Sequence, residues 1–314
     1  MARVLVTGAG GFVGPHLRTA LAAAGHDVWR TDRTLAIAPQ EIPCELTDAE
    51  GARALLERVR PDAIVHLAGL SSVAYSFAHP QEVLAVNLGV ACNVLEAVRR
   101  TTPRARVLLV GSAEQYGTVP EAEQPIRETQ PFRPASPYAV SKVAQEFLAL
   151  QYAATYKLDV VFARSFNHSG PGQTDRFVLP GFARQIVAAE RGAAEPVLRV
   201  GNLDVRRDFL DVRDVVRAYA GILERGTGGE AYNVCRGEAF RVRDLLDTLL
   251  RWARVPVRIA PDPGRMRAGE IPVLCGDPTR LRDRTGWEPS LTMDDTLRDL
   301  LDDWRRRDSG GESA

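Results

Sequence analysis

A tyrosine and a lysine stand four residues apart in the stretch SPYAVSK, Ser136 to Lys142. The surrounding pattern predicts a helix over residues 137–156, and side chains at positions i and i+4 share one face of an α-helix. The ammonium of Lys142 is then placed beside the phenol of Tyr138, where a cation favours phenolate and lowers the tyrosine pKa from about 10. Such a pair can move a proton to or from an oxygen, although the same spacing also occurs on helices that only face solvent.

A second chemical signal is the glycine-rich stretch VLVTGAGGFVG, which follows an apolar strand and opens a helix. Gly8 allows a tight turn, Gly11 lets the backbone approach a pyrophosphate, and Gly14 permits close helix packing. Phosphates would face the helix N-terminus, where unpaired N–H groups favour an anion. In this context the spacing predicts a dinucleotide site, with Phe12 and Val13 in the same turn.

Cofactor preference depends on the end of the second strand, HDVWRTDR. Asp32 lies eighteen residues after Gly14, at a position where a carboxylate accepts hydrogen bonds from an adenosine ribose and repels a 2′-phosphate. Arg33 opposes that inference because a guanidinium could hold the phosphate of NADP(H). NAD(H) is therefore favoured, and NADP(H) is the alternative. The remaining residues expected to contact the cofactor are Glu45, Leu46, Leu67, Ala68 and Gly69.

These residues need a scaffold, and the chain supplies a regular one. Short apolar runs alternate with helical patterns through the first half, which predicts helices near 15–24, 48–59, 81–100 and 137–156. Strands that alternate with helices form βαβ units and a parallel sheet covered on both faces. The expected fold is α/β, a Rossmann-type doubly wound parallel sheet.

The alternation breaks near Phe166, at the Gly/Pro-rich stretch NHSGPGQTDRFVLP. The less regular pattern that follows predicts a smaller α+β substrate-binding lobe, interleaved with the first domain. We assign the NAD(P)-binding domain to residues 1–168 and 207–236, the substrate-binding lobe to 169–206 and 237–306, and a flexible tail to 307–314.

Length and composition exclude several classes of protein. The 314 residues include 40 basic and 40 acidic side chains, and this balance argues against nucleic acid or an anionic membrane as the main partner. The four cysteines lie far apart, without a CxxC pair or a nearby histidine pair, which predicts reduced thiols and no metal site. The start MARVLVTGAG lacks a signal-peptide pattern, and no apolar run approaches the ~20 residues of a membrane span. We expect a cytoplasmic protein.

In combination, the glycine-rich turn and the Tyr138/Lys142 pair resemble those of the extended short-chain dehydrogenase/reductases, enzymes that act on nucleotide sugars. The resemblance covers essentially the whole chain. It implies that Tyr138 exchanges a proton with a sugar hydroxyl or ketone, that Lys142 lowers its pKa and holds the nicotinamide ribose, and that Ser112 in LLVGSAEQYG bonds the same sugar oxygen. Hydride transfer at carbon needs such proton movement at oxygen. A dinucleotide sensor without activity is disfavoured because all three residues are present.

The second half is similar to the GDP-mannose 4,6-dehydratases and the GDP-4-keto-6-deoxymannose reductases, in stretches such as RSFNHSGPGQ, VGNLDVRRDF and RMRAGEIPVLCGDP. This resemblance implies a GDP-sugar as the substrate. It places Asn167 at the diphosphate region, Arg207 and Arg267 on the diphosphate, and Glu270 on the nucleotide ribose. Asn202 is expected among the substrate contacts. Guanidinium and carboxylate chemistry suits these roles.

The residues after the fifth strand favour a reductase within that group. A 4,6-dehydratase needs a base and usually an acid beside the tyrosine, and its pattern reads roughly Ser-Thr-(Asp/Ser)-Glu-x-Tyr-Gly. Here Glu114 is present, to orient the sugar or serve as a remnant base, but Ala113 removes the polar neighbour and Ser112 replaces threonine. GPGQ with a following FV is also the reductase pattern.

The expected reaction is therefore reduction of the 4-ketone of GDP-4-keto-6-deoxy-D-mannose by NAD(P)H, giving GDP-D-rhamnose or its C4 epimer. Two alternatives stay open. One is a GDP-mannose 4,6-dehydratase, and the other is an NAD-dependent 4-epimerase of a nucleotide sugar.

Two of the predicted helices carry more apolar surface than one side of a sheet needs. The stretches VLEAV and FLALQYAA lie on the helices near 88–100 and 137–156. The resemblance implies that this helix pair packs into a four-helix bundle with a second copy, so a homodimer is expected.

Overall fold

The computed structural model describes residues 1–35, 37–266 and 271–309. Its strands, in chain order, are β1 (Arg3–Thr7), β2 (Asp27–Asp32), β3 (Glu41–Pro43), β4 (Ala63–His66), β5 (Arg106–Ser112), β6 (Val160–Ser165), β7 (Asn167–Ser169), β8 (Val197–Val200), β9 (Arg206–Asp211), β10 (Ala231–Val234), β11 (Ala239–Arg241), β12 (Arg258–Pro261) and β13 (Val273–Leu274). The helices are α1 (Val13–Ala23), α2 (Ala49–Val59), α3 (Val73–Ala78), α4 (Pro80–Thr101), α5 (Pro137–Tyr156), α6 (Val178–Glu190), α7 (Val212–Arg225), α8 (Val242–Arg251), α9 (Thr279–Thr285) and α10 (Met293–Ser309).

The larger sheet has seven strands in the order β10-β6-β5-β4-β1-β2-β3, and neighbouring strands pair in parallel. All residues of β4 and β6 are buried, as expected for strands with helices on both faces. The strand order reverses between β1 and β4, and ligands of doubly wound sheets bind at such a reversal. The predicted doubly wound parallel sheet is confirmed.

Two hydrophobic cores lie on opposite faces of this sheet. One core is formed with α1 and α7, and the other with α2, α4 and α5. Among the described residues, α4 has the length and apolar composition of a membrane span. Its inner face, however, is buried against the sheet, α2 and α5, which is the ordinary setting of a core helix.

A smaller layer covers one end of the large sheet. It contains β11-β9-β13, with β7 paired to β9, and a separate pair β12-β8. Its core is packed between α6, α8 and α10. The chain enters this layer at β7, returns to the large sheet with β10, and re-enters the smaller layer at β11. The last helix, α10, runs to Ser309, two residues past the start predicted for the tail.

Candidate active site

The predicted catalytic residues meet at the carboxyl end of the large sheet. Ser112 is the last residue of β5, and Tyr138 and Lys142 lie in the first turns of α5. The Ser136 side chain caps α5 by accepting the N–H of Ala139 at 3.1 Å, and Pro137 follows in the first helical position. This cap determines where the helix begins and therefore how Tyr138 is presented.

The hydroxyl of Ser112 lies beside the phenol of Tyr138 and favours its ionised form. Both side chains are more than nine-tenths buried, with 9% of Ser112 and 8% of Tyr138 exposed. Burial raises the pKa of Tyr138 to about 12, with a smaller opposing effect of the Ser112 hydroxyl and a further increase from Glu114. The phenol is therefore protonated at neutral pH.

This result corrects the expectation that Lys142 lowers the pKa of Tyr138. The ammonium of Lys142 donates to the carbonyl oxygen of Val110 at 2.9 Å and is not among the groups that shift the phenol. Burial lowers the pKa of Lys142 itself to about 8. Spacing on the helix placed the two residues on one face, but burial dominates the acidity of both.

A short 3₁₀ turn, Ala113–Tyr116, follows Ser112 directly. Its Glu114 is half-buried, and the Glu114 N–H donates to the Ser112 hydroxyl at 3.2 Å. Ala113 is buried at 2% exposure and offers no polar group. The turn thus presents one carboxylate beside the Ser112–Tyr138 pair.

The glycine-rich turn fits a dinucleotide. Gly8 has φ +67°, and a Cβ there would lie 2.6 Å from the Ala68 nitrogen, so only glycine is accommodated. A Cβ on Gly14 would overlap the Ala9 carbonyl. A Cβ on Gly11 would meet one atom of the described residues outside its chain neighbours, the Gly8 oxygen at 3.3 Å.

The start of α1 is open to an anion. Phe12 stands at its N-cap without a side-chain hydrogen bond, Val13 is the first helical residue, and the first turn carries no acidic side chain. Gly14 donates its N–H to the Gly11 carbonyl, and Pro15 has no N–H. The N–H of Val13 is therefore the helical donor that can face a pyrophosphate.

The residues expected around the adenosine lie at the same edge of the sheet. Asp32 Oδ1 accepts the N–H of Thr34 at 3.2 Å and its hydroxyl at 3.1 Å. The Arg33 side chain is 71% exposed, and its Nη1 lies 3.7 Å from Glu45 Oε2. Leu46 is buried. The Asp32 carboxylate and the Arg33 guanidinium therefore both lie at this edge. The Arg33–Glu45 ion pair is long, and the Asp32 carboxylate bonds only Thr34 among the described residues.

The loop after β4 contains Leu67, Ala68 and Gly69, and a residue that sequence reasoning missed secures it. Asn87 of α4 accepts the N–H of Leu70 at 2.7 Å and donates to the Ser141 hydroxyl of α5 at 2.9 Å. Asn87 thereby ties the cofactor loop to the helix that carries Tyr138. The signal was a single amide inside the apolar run LAVNLGVAC.

The residues expected to bind the substrate are only partly brought together. Asn167 lies in β7, opposite Phe209 of β9, and Arg207 lies two residues earlier on β9. Arg207 Nη1 donates to the Arg206 carbonyl at 3.0 Å. Asn202 is exposed, and its side chain accepts the N–H of Asp204 at 3.0 Å within a turn. The other two expected substrate contacts, Arg267 and Glu270, lie outside the described residues.

Comparison with known proteins gives consistent results. The family model of GDP-mannose 4,6-dehydratase matches residues 5–300. The GDP-6-deoxy-D-mannose reductase of Pseudomonas aeruginosa is 42% identical over 305 residues, which are 97% of this chain and 98% of that protein.

Solved structures superpose over nearly the full length. The structure of RMD from Pseudomonas aeruginosa complexed with NADPH has a TM-score of 0.89 at 39% identity and covers 98% of this chain and 100% of its own. The UDP-glucose 4-epimerase of Thermus thermophilus in complex with NAD has a TM-score of 0.85 at 30% identity, with 96% and 99% coverage. Structures similar to this chain thus hold either nicotinamide cofactor.

Proposed function

The chain belongs to the GDP-mannose 4,6-dehydratase family of extended short-chain dehydrogenase/reductases, and from that premise we propose that it reduces the 4-keto group of GDP-4-keto-6-deoxy-D-mannose with NAD(P)H. The product is GDP-D-rhamnose or its C4 epimer. The observation that supports this most strongly is the buried pair of Ser112 and the protonated phenol of Tyr138, at the sheet edge that also carries the dinucleotide turn.

The chemistry follows from the protonation state of the site. A bound reduced nicotinamide supplies the hydride to C4 of the sugar. Tyr138 donates its proton to the ketone oxygen, and Ser112 holds that oxygen by a hydrogen bond. A phenol with a pKa of about 12 is fully protonated before the step. The Ser112 hydroxyl, which favours the ionised phenol, stabilises the phenolate that remains until solvent returns the proton.

The turn after β5 favours reduction over elimination. A 4,6-dehydratase must remove one proton and assist the departure of water, which requires a base and an acid in addition to the tyrosine. The described turn offers Glu114, while the buried methyl of Ala113 stands at the position where the dehydratase pattern has a polar residue. A dehydratase is the second candidate because the matching family model bears that name.

Both nicotinamide cofactors are compatible with the adenosine edge. Asp32 favours NAD(H) because a carboxylate repels a 2′-phosphate. Arg33 is exposed beside it and can approach such a phosphate. Parallel titrations with NADH and NADPH decide between the two.

We infer a homodimer from an apolar stripe on the outer face of α4 and α5. Leu84 and Leu88 are exposed on α4, and Val140 and Phe147 are exposed on α5, with 57% of Phe147 accessible. The two helices pack side by side, and both expose apolar side chains. A second copy that places its own α4 and α5 against these side chains completes a four-helix bundle.

A cytoplasmic location is the setting we propose for this chemistry. The four cysteines are all free thiols, and one of them, Cys235, is fully buried. Free thiols are typical of a reducing compartment.

The proposed reaction is tested by nicotinamide absorbance. The purified protein is mixed with NADH or NADPH and GDP-4-keto-6-deoxymannose, with GDP-mannose alone as the parallel control. We expect reduced cofactor to be consumed only with the keto sugar. Conversion of GDP-mannose to a keto sugar without added reductant would instead identify a dehydratase and a working base at Glu114.

A further inference from the structure

The turn that carries Ser112 rests on a buried polar network to which the proposed reaction assigns no part. Gln115 is completely buried, and only 2% of Glu146 and 7% of Arg164 are exposed. Buried charges are costly, by several kcal/mol per ion, unless they are paired and fully hydrogen-bonded. This costly network lies beside Ser112, so we expect it to serve the reaction.

A series of hydrogen bonds links Ser112 through Gln115 to the ion pair of Glu146 and Arg164. The backbone N–H of Ser112 donates to Gln115 Oε1 at 2.8 Å, and Gln115 Nε2 donates to Glu146 Oε2 at 2.8 Å. Glu146 in turn accepts from Arg164 at 2.5 Å through Oε1 and 3.2 Å through Oε2. A backbone N–H only donates hydrogen bonds, so the amide oxygen of Gln115 must face Ser112, and its nitrogen then faces Glu146.

Arg164 is itself immobilised. Its Nη1 donates to the Tyr116 hydroxyl at 2.9 Å and to the Glu128 carbonyl at 2.8 Å, and its guanidinium lies 4.5 Å from the centre of the Phe132 ring. The Tyr116 hydroxyl donates to Asn233 Oδ1 at 2.7 Å. Each member of the network therefore has its partners, which makes the arrangement rigid.

The backbone is shaped to receive the carboxamide. A Cβ on Gly111 would overlap Gln115 Oε1, so glycine at the end of β5 leaves the space in which the amide oxygen reaches Ser112. The Ser112 hydroxyl then accepts the N–H of Glu114 and lies beside the phenol of Tyr138. The orientation of the hydroxyl is thus tied to the backbone that Gln115 holds.

We propose that Gln115, oriented by the Glu146–Arg164 ion pair, is the positioning residue for Ser112. It contacts neither substrate nor cofactor and acts through the serine alone. This inference rests on the proposed catalytic use of Ser112, but it holds for a reductase, a dehydratase or an epimerase, since each uses that hydroxyl at the sugar oxygen.

The test is a double-mutant cycle between Gln115→Met and Ser112→Ala, measured on the nucleotide-sugar reaction that the wild type carries out. Misplacing a reacting group by about an ångström costs on the order of 100-fold, so Gln115→Met should lower kcat by roughly 10- to 100-fold with KM changed less than about twofold. In the Ser112→Ala background the same change should cost less than about twofold, because the residue it positions is gone. Equal losses in both backgrounds would overturn the proposal.

Gln185→Met is the matched control. Its side-chain oxygen also accepts a backbone N–H, that of Arg199 at 2.9 Å, but it lies on α6 in the smaller layer. We expect it to leave kcat unchanged, although it also removes a side-chain acceptor from a backbone N–H.

A charge-swapped variant guards against simple unfolding. In the double variant Gln115→Glu with Glu146→Gln, the carboxylate at position 115 still accepts the Ser112 N–H. The amide at position 146 still hydrogen-bonds the side chain at position 115, and the network keeps one negative charge for Arg164. Each single substitution should lower kcat by about 10-fold or more, and the pair should recover to within about threefold of the wild type. A pair no better than the worse single variant would contradict the assignment.

Hydrogen exchange of the Ser112 amide provides a readout that needs no activity. The amide should be protected in the wild type and exchange at least about tenfold faster in Gln115→Met. Unchanged protection would refute the positioning role whatever the enzyme does. A protected amide in a wild type that turns over none of the three substrates would count against the proposed function alone.

Discussion

At the scale of single residues, we propose Tyr138 as the proton donor, and its replacement by phenylalanine isolates that role. Tyr138 is 8% exposed, and the variant keeps its buried ring and loses only the hydroxyl. Removal of a general acid typically costs about 10² to 10⁴ in rate, so we expect a loss of that size in kcat with cofactor affinity unchanged. Steady-state kinetics and a cofactor titration measure both. Turnover equal to that of the wild type would exclude Tyr138 as the donor.

Lys142 should set the alkaline limb of the pH profile. Its pKa is lowered by burial to about 8, so the ammonium is present below that pH and lost above it. Because kcat/KM reports ionisations of the free enzyme, kcat/KM for the reduced cofactor should fall as the pH rises through about 8. The phenol, with a pKa of about 12, stays protonated over this range. In Lys142→Met the limb should disappear, and a limb that persists would assign it to another group.

Sequence reasoning found the residues that follow spacing rules and missed those that depend on tertiary contacts. The glycine turn and the Tyr138/Lys142 pair have local signatures, and the structure brings them to one edge of the sheet. The direction of the Tyr138 pKa was wrong because helical spacing does not reveal burial. Gln115 and Glu146 are 31 residues apart, and no local pattern connects them.

At the scale of elements, the N-cap of α5 links stability to catalysis. Ser136→Ala removes the acceptor for the Ala139 N–H and should lower the free energy of unfolding by about 1 kcal/mol. The first turn, which carries Tyr138, should fray, so kcat should fall several-fold as well. Denaturant unfolding and kinetics give the two numbers.

The matched control for that prediction is the cap of α2. Asp48 accepts the N–H of Glu50 at 3.1 Å, and Asp48→Ala should cost a similar free energy. Its kcat should stay at the wild-type value, because α2 carries none of the proton-transferring groups. Equal effects of the two substitutions on kcat would mean that the Ser136 cap acts only through global stability.

The long elements were predictable and the short ones were not. Helix α5 has the bounds 137–156 that its pattern predicts, and the βαβ alternation predicts the parallel pairing of the large sheet. Strands of the smaller layer such as β7 and β13 contain three and two residues, which is too short for a period of two to be visible. The division of the chain into cofactor and substrate domains stays a prediction.

At the scale of the whole molecule, the outer face of α4 and α5 should hold two copies together. Phe147→Asp places a charge at the most exposed of the apolar side chains on that face and should convert the dimer to a monomer at micromolar concentration, as measured by light scattering. Phe177→Asp, at the 40%-exposed Phe177 of the other layer, should leave the dimer intact. A wild type that is already monomeric would refute the predicted bundle.

The central claim is net hydride transfer from a nicotinamide to C4 of the keto sugar, and isotope transfer tests it most directly. Cofactor deuterated at the transferred position is incubated with GDP-4-keto-6-deoxymannose, and the product is analysed by mass spectrometry and NMR. We predict one deuterium at C4 for each reduced cofactor oxidised, and product formation slower by about 10² to 10⁴ in the Tyr138→Phe variant. A product without deuterium, or a keto sugar formed from GDP-mannose with no cofactor consumed, would contradict the reductase.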